Sequence, residues 1–76
     1  MTKLPSVSGS RVVKALEKLG WYVHRQSGGH VILCHPRYLD KLIVVPIHGK
    51  KPVKKRTLSR ILKDARLTVD EFKELL

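Results

Sequence analysis

The sequence predicts an α+β domain: a three-stranded antiparallel sheet with two main helices on one face, followed by a short C-terminal helix. Two observations support this prediction. Apolar residues recur at helical spacing near both ends of the chain, and three short runs rich in β-branched residues lie between them. This order of elements packs as a two-layer sandwich. A chain of 76 residues holds one core, so residues 1–76 are expected to form a single domain.

The first helix is predicted over residues 9–19. Its apolar side chains recur at i, i+3, i+4 and i+7, with charged residues on the opposite side. This stripe consists of Val12, Ala15, Leu16 and Leu19. Ser8 or Ser10 is expected to cap the start of the helix, and Gly20 stands where helices commonly end in the left-handed conformation.

Three strands are predicted to follow in a meander. The segments WYVHRQ and HVILC lie on either side of a short turn that contains Gly28 and Gly29, which is typical of a hairpin. A turn of two residues and a turn of three residues both fit, and the two registers place His30 on opposite faces of the sheet. The segment KLIVVPI is the third strand, which Pro46 and Gly49 end.

Two helical patterns close the chain. Thr57 is a candidate N-cap for the second main helix, whose apolar stripe consists of Leu58, Ile61, Leu62 and Ala65. Thr68 and Glu71 have the spacing of a capping box, which predicts a short third helix after Thr68.

The charge balance indicates a polyanionic partner. The chain contains 16 Lys and Arg against 6 Asp and Glu, a formal net charge of +10. Six of the cations surround the predicted start of the second helix, where free backbone N–H groups also attract phosphate: Lys50, Lys51, Lys54, Lys55, Arg56 and Arg60. Nucleic acid is the leading ligand. A membrane is not expected, since Gly49 and Pro52 interrupt the basic stretch and the apolar runs are too short to span a bilayer.

Cysteine and carboxylate usage argues against disulfides, metals and cofactors. Cys34 is the single cysteine, and no pair of Cys or His residues has the spacing of a zinc site. No Asp or Glu lies between Glu17 and Asp40, so the hairpin has no nearby carboxylates to hold magnesium. We therefore expect a cytoplasmic protein with no metal and no cofactor, and any catalysis should be metal-free.

His30 is the leading catalytic candidate from the residues alone. Gly28 and Gly29 let a sugar-phosphate backbone approach closely, and an imidazole changes charge near neutral pH. The alternative is a polar residue that merely follows a turn. His24, His35 and His48 compete with His30, and each also fits a surface or structural position.

The order of helices and strands looks like a double-stranded-RNA-binding domain. Seven short motifs follow one another along the chain: Gly20-Trp21, Arg25-Gln26-x-Gly28-x-His30, His35-Pro36, Val45-Pro46-x-His48-Gly49, Thr57-Leu58-x-x-Ile61-Leu62, Ala65-x-Leu67 and Glu71-Phe72. In their order and spacing they resemble the HicA family of toxins from about Ser8 to Phe72. No single motif is specific, so the resemblance depends on all of them together.

The resemblance implies an mRNA interferase toxin, a metal-independent endoribonuclease inactivated by a HicB-like antitoxin. His30 matches the family's catalytic histidine and would be the general base that activates a ribose 2′-OH, so single-stranded mRNA would be cleaved and DNA would not be contacted by this chain alone. Arg25 and the six cations named above are the expected RNA-binding residues, and Gly28 and Gly29 supply the hairpin backbone. His24 and His48 are auxiliary candidates, and His24 or a lysine could serve as general acid.

Three residues depart from the family pattern. Gly29 replaces a serine, Arg56 replaces a glycine before Thr57, and Arg66 replaces a glycine after Ala65. A left-handed backbone at Arg66 would cost about 1 kcal/mol. Two other functions remain open on the sequence: a non-catalytic double-stranded-RNA-binding module, and a basic surface that chiefly docks an acidic protein.

Overall fold

The computed structural model describes residues 3–76 and has the predicted α+β architecture. The elements in chain order are α1 (Gly9–Glu17), β1 (Tyr22–Ser27), β2 (His30–His35), β3 (Tyr38–Pro46), α2 (Lys55–Asp64) and α3 (Val69–Leu75). The three strands form one antiparallel sheet in the order β1-β2-β3. No helix within residues 3–76 has the length and apolar character needed to cross a bilayer.

The hairpin between β1 and β2 has a two-residue turn. Ser27 pairs with His30, and Gly28 and Gly29 form the turn between them. Of the two turn residues, Gly28 has a positive φ of 57° and Gly29 does not. A positive φ at the first turn residue alone is typical of a type II′ turn. The register that the sequence left open is therefore the one in which His30 is the first residue of β2.

One face of the sheet packs against the helices. Val31 and Leu33 of β2 and Ile43 and Val45 of β3 are buried, and both main helices contribute to the same core. Because side chains alternate along a strand, the intervening residues lie on the opposite face. This open face contains Tyr22 and Arg25 of β1, His30, Ile32 and Cys34 of β2, and Leu42, Val44 and Pro46 of β3.

Helix α1 begins at Gly9 as the sequence predicts, but it ends at Glu17, two residues before the predicted end. The Ser8 hydroxyl accepts a hydrogen bond from the Arg11 N–H at 3.4 Å, so Ser8 is the N-cap. The chain leaves the helix through Gly20, which has a φ of 98°. Leu19 of the predicted apolar stripe lies in the turn after the helix and is 39% exposed, so it does not belong to the core.

The expected N-cap of α2 is wrong. The helix begins at Lys55 with Lys54 as its N-cap, so Thr57 lies within the first turn, and Lys54 makes no side-chain capping bond. The reason is a tertiary contact: the N–H of buried Val53 donates to the Val7 carbonyl at 2.8 Å, which fixes the chain just before the helix. The start of α2 is therefore set by this backbone hydrogen bond rather than by a capping side chain.

Helix α3 confirms the predicted capping box. The Thr68 hydroxyl accepts from the Glu71 N–H at 3.1 Å, and the Glu71 carboxylate accepts from the Thr68 N–H at 2.9 Å. The second of these bonds, with help from the Thr68 side chain, lowers the pKa of Glu71 from its ordinary value of 4.5. Phe72 is fully buried and joins α3 to the core.

Candidate active site

His30 is exposed at the end of the hairpin, on the open face of the sheet. Its backbone is paired on both sides, with Ser27 of β1 and with Pro46 of β3. The imidazole is therefore open to solvent while the backbone that carries it is held by two strands.

A cavity of about 600 Å³ lies beside His30, between the end of β3, the loop that follows it and the start of α2. We call it the histidine cavity. It brings two imidazoles and two ammonium groups together with the first turn of a helix. Its lining residues are His30, Val44, Pro46, His48, Lys51, Pro52, Val53, Lys54 and Thr57.

A second depression of about 410 Å³ continues along α2, and we call it the arginine cleft. Val44 and Thr57 line both spaces, so the two are adjacent. The arginine cleft adds Arg56 and Arg60, together with the acidic Asp64 at its far end. The histidine cavity and the arginine cleft together form what we call the basic groove.

Backbone hydrogen bonds hold the loop that carries His48. The Ile47 N–H donates to the Gly29 carbonyl at 2.6 Å, which extends the pairing of β2 and β3 by one residue. The Lys51 N–H then donates to the His48 carbonyl at 3.1 Å, in a turn where Gly49 has a φ of 60°. His48 therefore stands between a strand end and a closed turn, with its side chain exposed.

The start of α1 and the residue before it contact the end of β3 and the loop that follows it. Ser8 forms an isolated bridge with Pro52. Gly9 packs so closely against the end of β3 that a Cβ there would overlap the Pro46 carbonyl oxygen and lie 2.6 Å from the Ile47 Cδ1 atom. A glycine is required at this helix start because the strand backbone occupies the space.

The start of α2 supplies hydrogen-bond donors for an anion. Its first backbone N–H groups have no partners within the helix, and the first turn contains no acidic side chain. Thr57 of this turn lines the histidine cavity beside Lys54. Free N–H groups and a positive helix end next to ammonium groups form an environment that suits phosphate.

The sequence of the chain matches a known protein family. The family model described as HicA toxin of bacterial toxin-antitoxin systems matches residues 9–67. The chain belongs to the HicA toxin family. The matched residues run from the start of α1 to the residue after Arg66 and include the whole basic groove. Toxins of this family are generally ribonucleases. A comparison with curated proteins gives no match.

The remaining predicted RNA-binding residues of this HicA-family chain lie at different places. Arg25 lies on the open face, where it pairs with Ile32 of β2. It is therefore a diagonal neighbour of His30 across the two strands. Lys50 is exposed in the turn after His48, outside the residues that line the basic groove. Lys55 is in α2, and its ammonium donates to the Leu4 carbonyl.

His24 and His35 lie outside the histidine cavity. His24 is exposed at a bulge, where the register shifts between Val23 and Arg25. His35 is buried, and both ring nitrogens have partners: Nε2 lies 2.9 Å from the Leu19 carbonyl oxygen, and Nδ1 accepts from the Arg37 N–H at 3.0 Å. His35 is thus a structural residue that joins the end of α1 to the sheet through hydrogen bonds.

The sequence predicts four of the cations that line the basic groove, but it does not predict how the groove is built. Val44, Pro52 and Val53 line the histidine cavity because β3 and the loop after it fold against the start of α2, and no local pattern signals this. The nearness of His48 to His30 depends on the register of β2 and β3. Among residues 3–76, no three His, Cys, Asp or Glu side chains gather in a group that could hold a metal ion.

Proposed function

We propose that this HicA-family protein is an mRNA interferase, a cytoplasmic endoribonuclease that cleaves single-stranded mRNA without a metal. One observation carries the proposal: the exposed His30 imidazole lines the same cavity as Lys51, Lys54 and the first turn of α2. A group that exchanges protons thus stands beside groups that bind phosphate. The net charge of +10 favours a polyanionic substrate.

The reaction is a transfer within the RNA backbone. His30 takes the proton of a ribose 2′-OH, the 2′-oxygen attacks the adjacent phosphorus, and the bond from phosphorus to the 5′-oxygen of the next nucleotide breaks. The departing oxygen gains a proton. The products are a 2′,3′-cyclic phosphate and a 5′-OH end, and the chemistry requires no metal.

The basic groove suits a single strand. Attack by the 2′-oxygen requires it to align with phosphorus and the departing oxygen, and a regular duplex does not allow this alignment. Lys51, Lys54, Arg56 and Arg60 would neutralise successive phosphates along the groove. Arg25 lies on the other side of His30 and would stabilise the extra negative charge of the transition state.

The deciding experiment incubates the purified protein with a single-stranded RNA in EDTA. His30→Ala should reduce the cleavage rate by about 10²- to 10⁴-fold, the usual contribution of a positioned base, and should leave RNA affinity nearly unchanged. His24→Ala is the matched control because it removes another exposed histidine outside the cavity, and it should cleave like the wild type. Equal cleavage by all three proteins would refute the role of His30.

The products provide a second test. An oligonucleotide with one ribose in an otherwise DNA chain should be cut only after that ribose, leaving a cyclic phosphate that mass spectrometry identifies. An all-DNA chain should remain intact. RNA that stays intact in the presence of tight duplex binding would instead establish the alternative, a non-catalytic double-stranded-RNA-binding module.

We propose further that a HicB-like antitoxin docks on the open face and covers His30. The face exposes apolar side chains, with Tyr22 at 47%, Leu42 at 58% and Val44 at 46% accessibility, and the protein around it is strongly basic. An acidic partner with an apolar contact surface complements both properties. An acidic protein encoded by an adjacent reading frame would be the partner to express.

Tyr22 offers a test of this surface because it does not line the basic groove. Tyr22→Glu should weaken the complex with that acidic protein in calorimetry and leave RNA cleavage unchanged. Lys73→Glu, an exposed charge change on α3, is the control. If the same antitoxin concentration inhibited RNA cleavage by the Tyr22→Glu protein and by the wild type, docking on the open face would be contradicted.

A further inference from the structure

We propose that His48 is the second proton-transfer residue of the site, the general acid that protonates the departing 5′-oxygen. This inference deepens the proposed ribonuclease function and rests on it. His30 removes the proton of the attacking 2′-OH, but the departing 5′-oxygen on the other side of the phosphorus must gain a proton. The proposed cleavage is incomplete without a donor for that oxygen.

The register of the sheet brings the two imidazoles together. His30 pairs with Pro46, and His48 is two residues beyond Pro46. Ile47 between them turns toward the core and packs against it, so His48 returns to the side of the sheet that carries His30. His48 lies in the loop beyond the end of β3, and it lines the same cavity as His30.

Both histidines line the histidine cavity, so a phosphate bound there would lie beside both residues. A base and an acid must approach the phosphorus from opposite sides, because the attacking and departing oxygens are in line. The reacting phosphate would lie between His30 on β2 and His48 in the loop after β3. His24, the other exposed histidine, lies in the bulge of β1 and does not line this cavity.

Lys51 and Lys54 are the other titratable groups that line the histidine cavity. An imidazole is a better proton donor than an ammonium at neutral pH, since its ordinary pKa is nearer the working pH. The ammonium groups instead neutralise the phosphate. The cavity would thus contain two residues for proton transfer and two for phosphate binding.

The experiment compares two substrates of the same sequence. One is ordinary RNA, and in the other the scissile 5′-oxygen is replaced by sulfur, which leaves readily without a proton donor. His48→Ala should lower cleavage of ordinary RNA by about 10²- to 10⁴-fold and cleavage of the sulfur substrate by less than about 10-fold. His30→Ala should lower both, because the attacking hydroxyl still needs a base.

The pH profile gives an independent readout. Cleavage of ordinary RNA by the wild type should rise and then fall with pH, since the base must be neutral and the acid protonated. His48→Ala should lose the fall at high pH, whereas His24→Ala should keep both limbs. Thermal melts show whether each variant remains folded.

The results distinguish the two proposals. A wild-type protein that cleaves neither substrate would overturn the ribonuclease itself. A wild type that cleaves both, with His48→Ala equally impaired on both substrates or unimpaired on ordinary RNA, would overturn only the role of His48. Rescue of Lys51→Ala by the sulfur substrate, without rescue of His48→Ala, would assign the acid to Lys51 instead.

Discussion

Replacing Arg66 by glycine should stabilise the protein, because Arg66 occupies a helix end where a glycine belongs. Its φ is 58°, and no other non-glycine residue within residues 3–76 has a positive φ. The Arg66 N–H bonds to the Lys63 carbonyl at 3.1 Å and the Leu67 N–H to the Leu62 carbonyl at 2.8 Å. This pair of bonds is the Schellman motif, which favours glycine at the position of Arg66.

Helix α1 ends with the same pair of bonds, which makes it an internal reference. The Gly20 N–H donates to the Glu17 carbonyl at 3.1 Å and the Trp21 N–H to the Leu16 carbonyl at 3.2 Å. There the left-handed residue is a glycine, with a φ of 98°. The two helix ends therefore share their hydrogen bonds and differ in the residue that adopts the left-handed conformation.

The magnitude follows from two opposing effects. The left-handed conformation costs an L residue with a side chain about 1–2 kcal/mol, which glycine would avoid. Against this, the Arg66 guanidinium carbon lies 6.0 Å from the centre of the Tyr38 ring. Such a contact at an exposed site contributes about 0.5–1 kcal/mol. We expect Arg66→Gly to raise the free energy of unfolding by about 0.5–1 kcal/mol and the Tm by about 2–8 °C.

Urea unfolding followed by the fluorescence of Trp21, the only tryptophan, measures this change. Lys63→Gly is the matched control: like Arg66 it is an exposed cation, but it lies within α2 and has a right-handed backbone, so this glycine should destabilise the protein by about 1 kcal/mol. Repeating Arg66→Gly in a Tyr38→Leu background removes the ring contact and should enlarge the gain. An Arg66→Gly protein less stable than the wild type in both backgrounds would refute the reasoning.

Three further outcomes follow from the structure. Four cations line the basic groove. The logarithm of the binding constant for single-stranded RNA should therefore fall with the logarithm of the salt concentration at a slope of about −2.8. Lys51→Ala should make this slope shallower by about 0.7, whereas Lys55→Ala should not change it, because the Lys55 ammonium bonds to the Leu4 carbonyl. Gly9→Ala should lower the free energy of unfolding by about 1–3 kcal/mol in urea titrations, because its Cβ would overlap the end of β3. The stability difference between wild type and Glu71→Ala should be present above pH 4.5 and shrink as acid protonates the carboxylate, because folding lowers the pKa of Glu71.

Local patterns predicted the features that depend on neighbouring residues in the chain. The Ser8 cap, the left-handed Gly20 and the capping box of Thr68 and Glu71 are all present. The expected cost at Arg66 also applies, since its backbone is left-handed. Each of these involves residues within one helical turn, so the sequence contains the whole interaction.

Contacts between distant segments decided what the sequence left open or predicted wrongly. The Val53 bond to Val7 starts α2 before Thr57, although threonine is the better capping residue. Strand β3 begins at Tyr38, earlier than the apolar run, where the Tyr38 ring stacks on the ring of Trp21 with the ring centres 6.1 Å apart. Neither effect is visible in a window of neighbouring residues.

The candidate site combines exposed side chains with a fixed backbone, and this combination explains why a small domain can carry it. His30 and His48 are open to solvent, but strand pairing holds His30, and hydrogen bonds at Ile47 and Lys51 hold the loop of His48. A rigid backbone reduces the entropy that the reacting groups must lose. Gly9 is part of this support, because only a glycine lets α1 approach the end of β3. Substitutions at Gly9 should therefore lower cleavage even where the protein still folds, because they displace the strand end that positions both histidines.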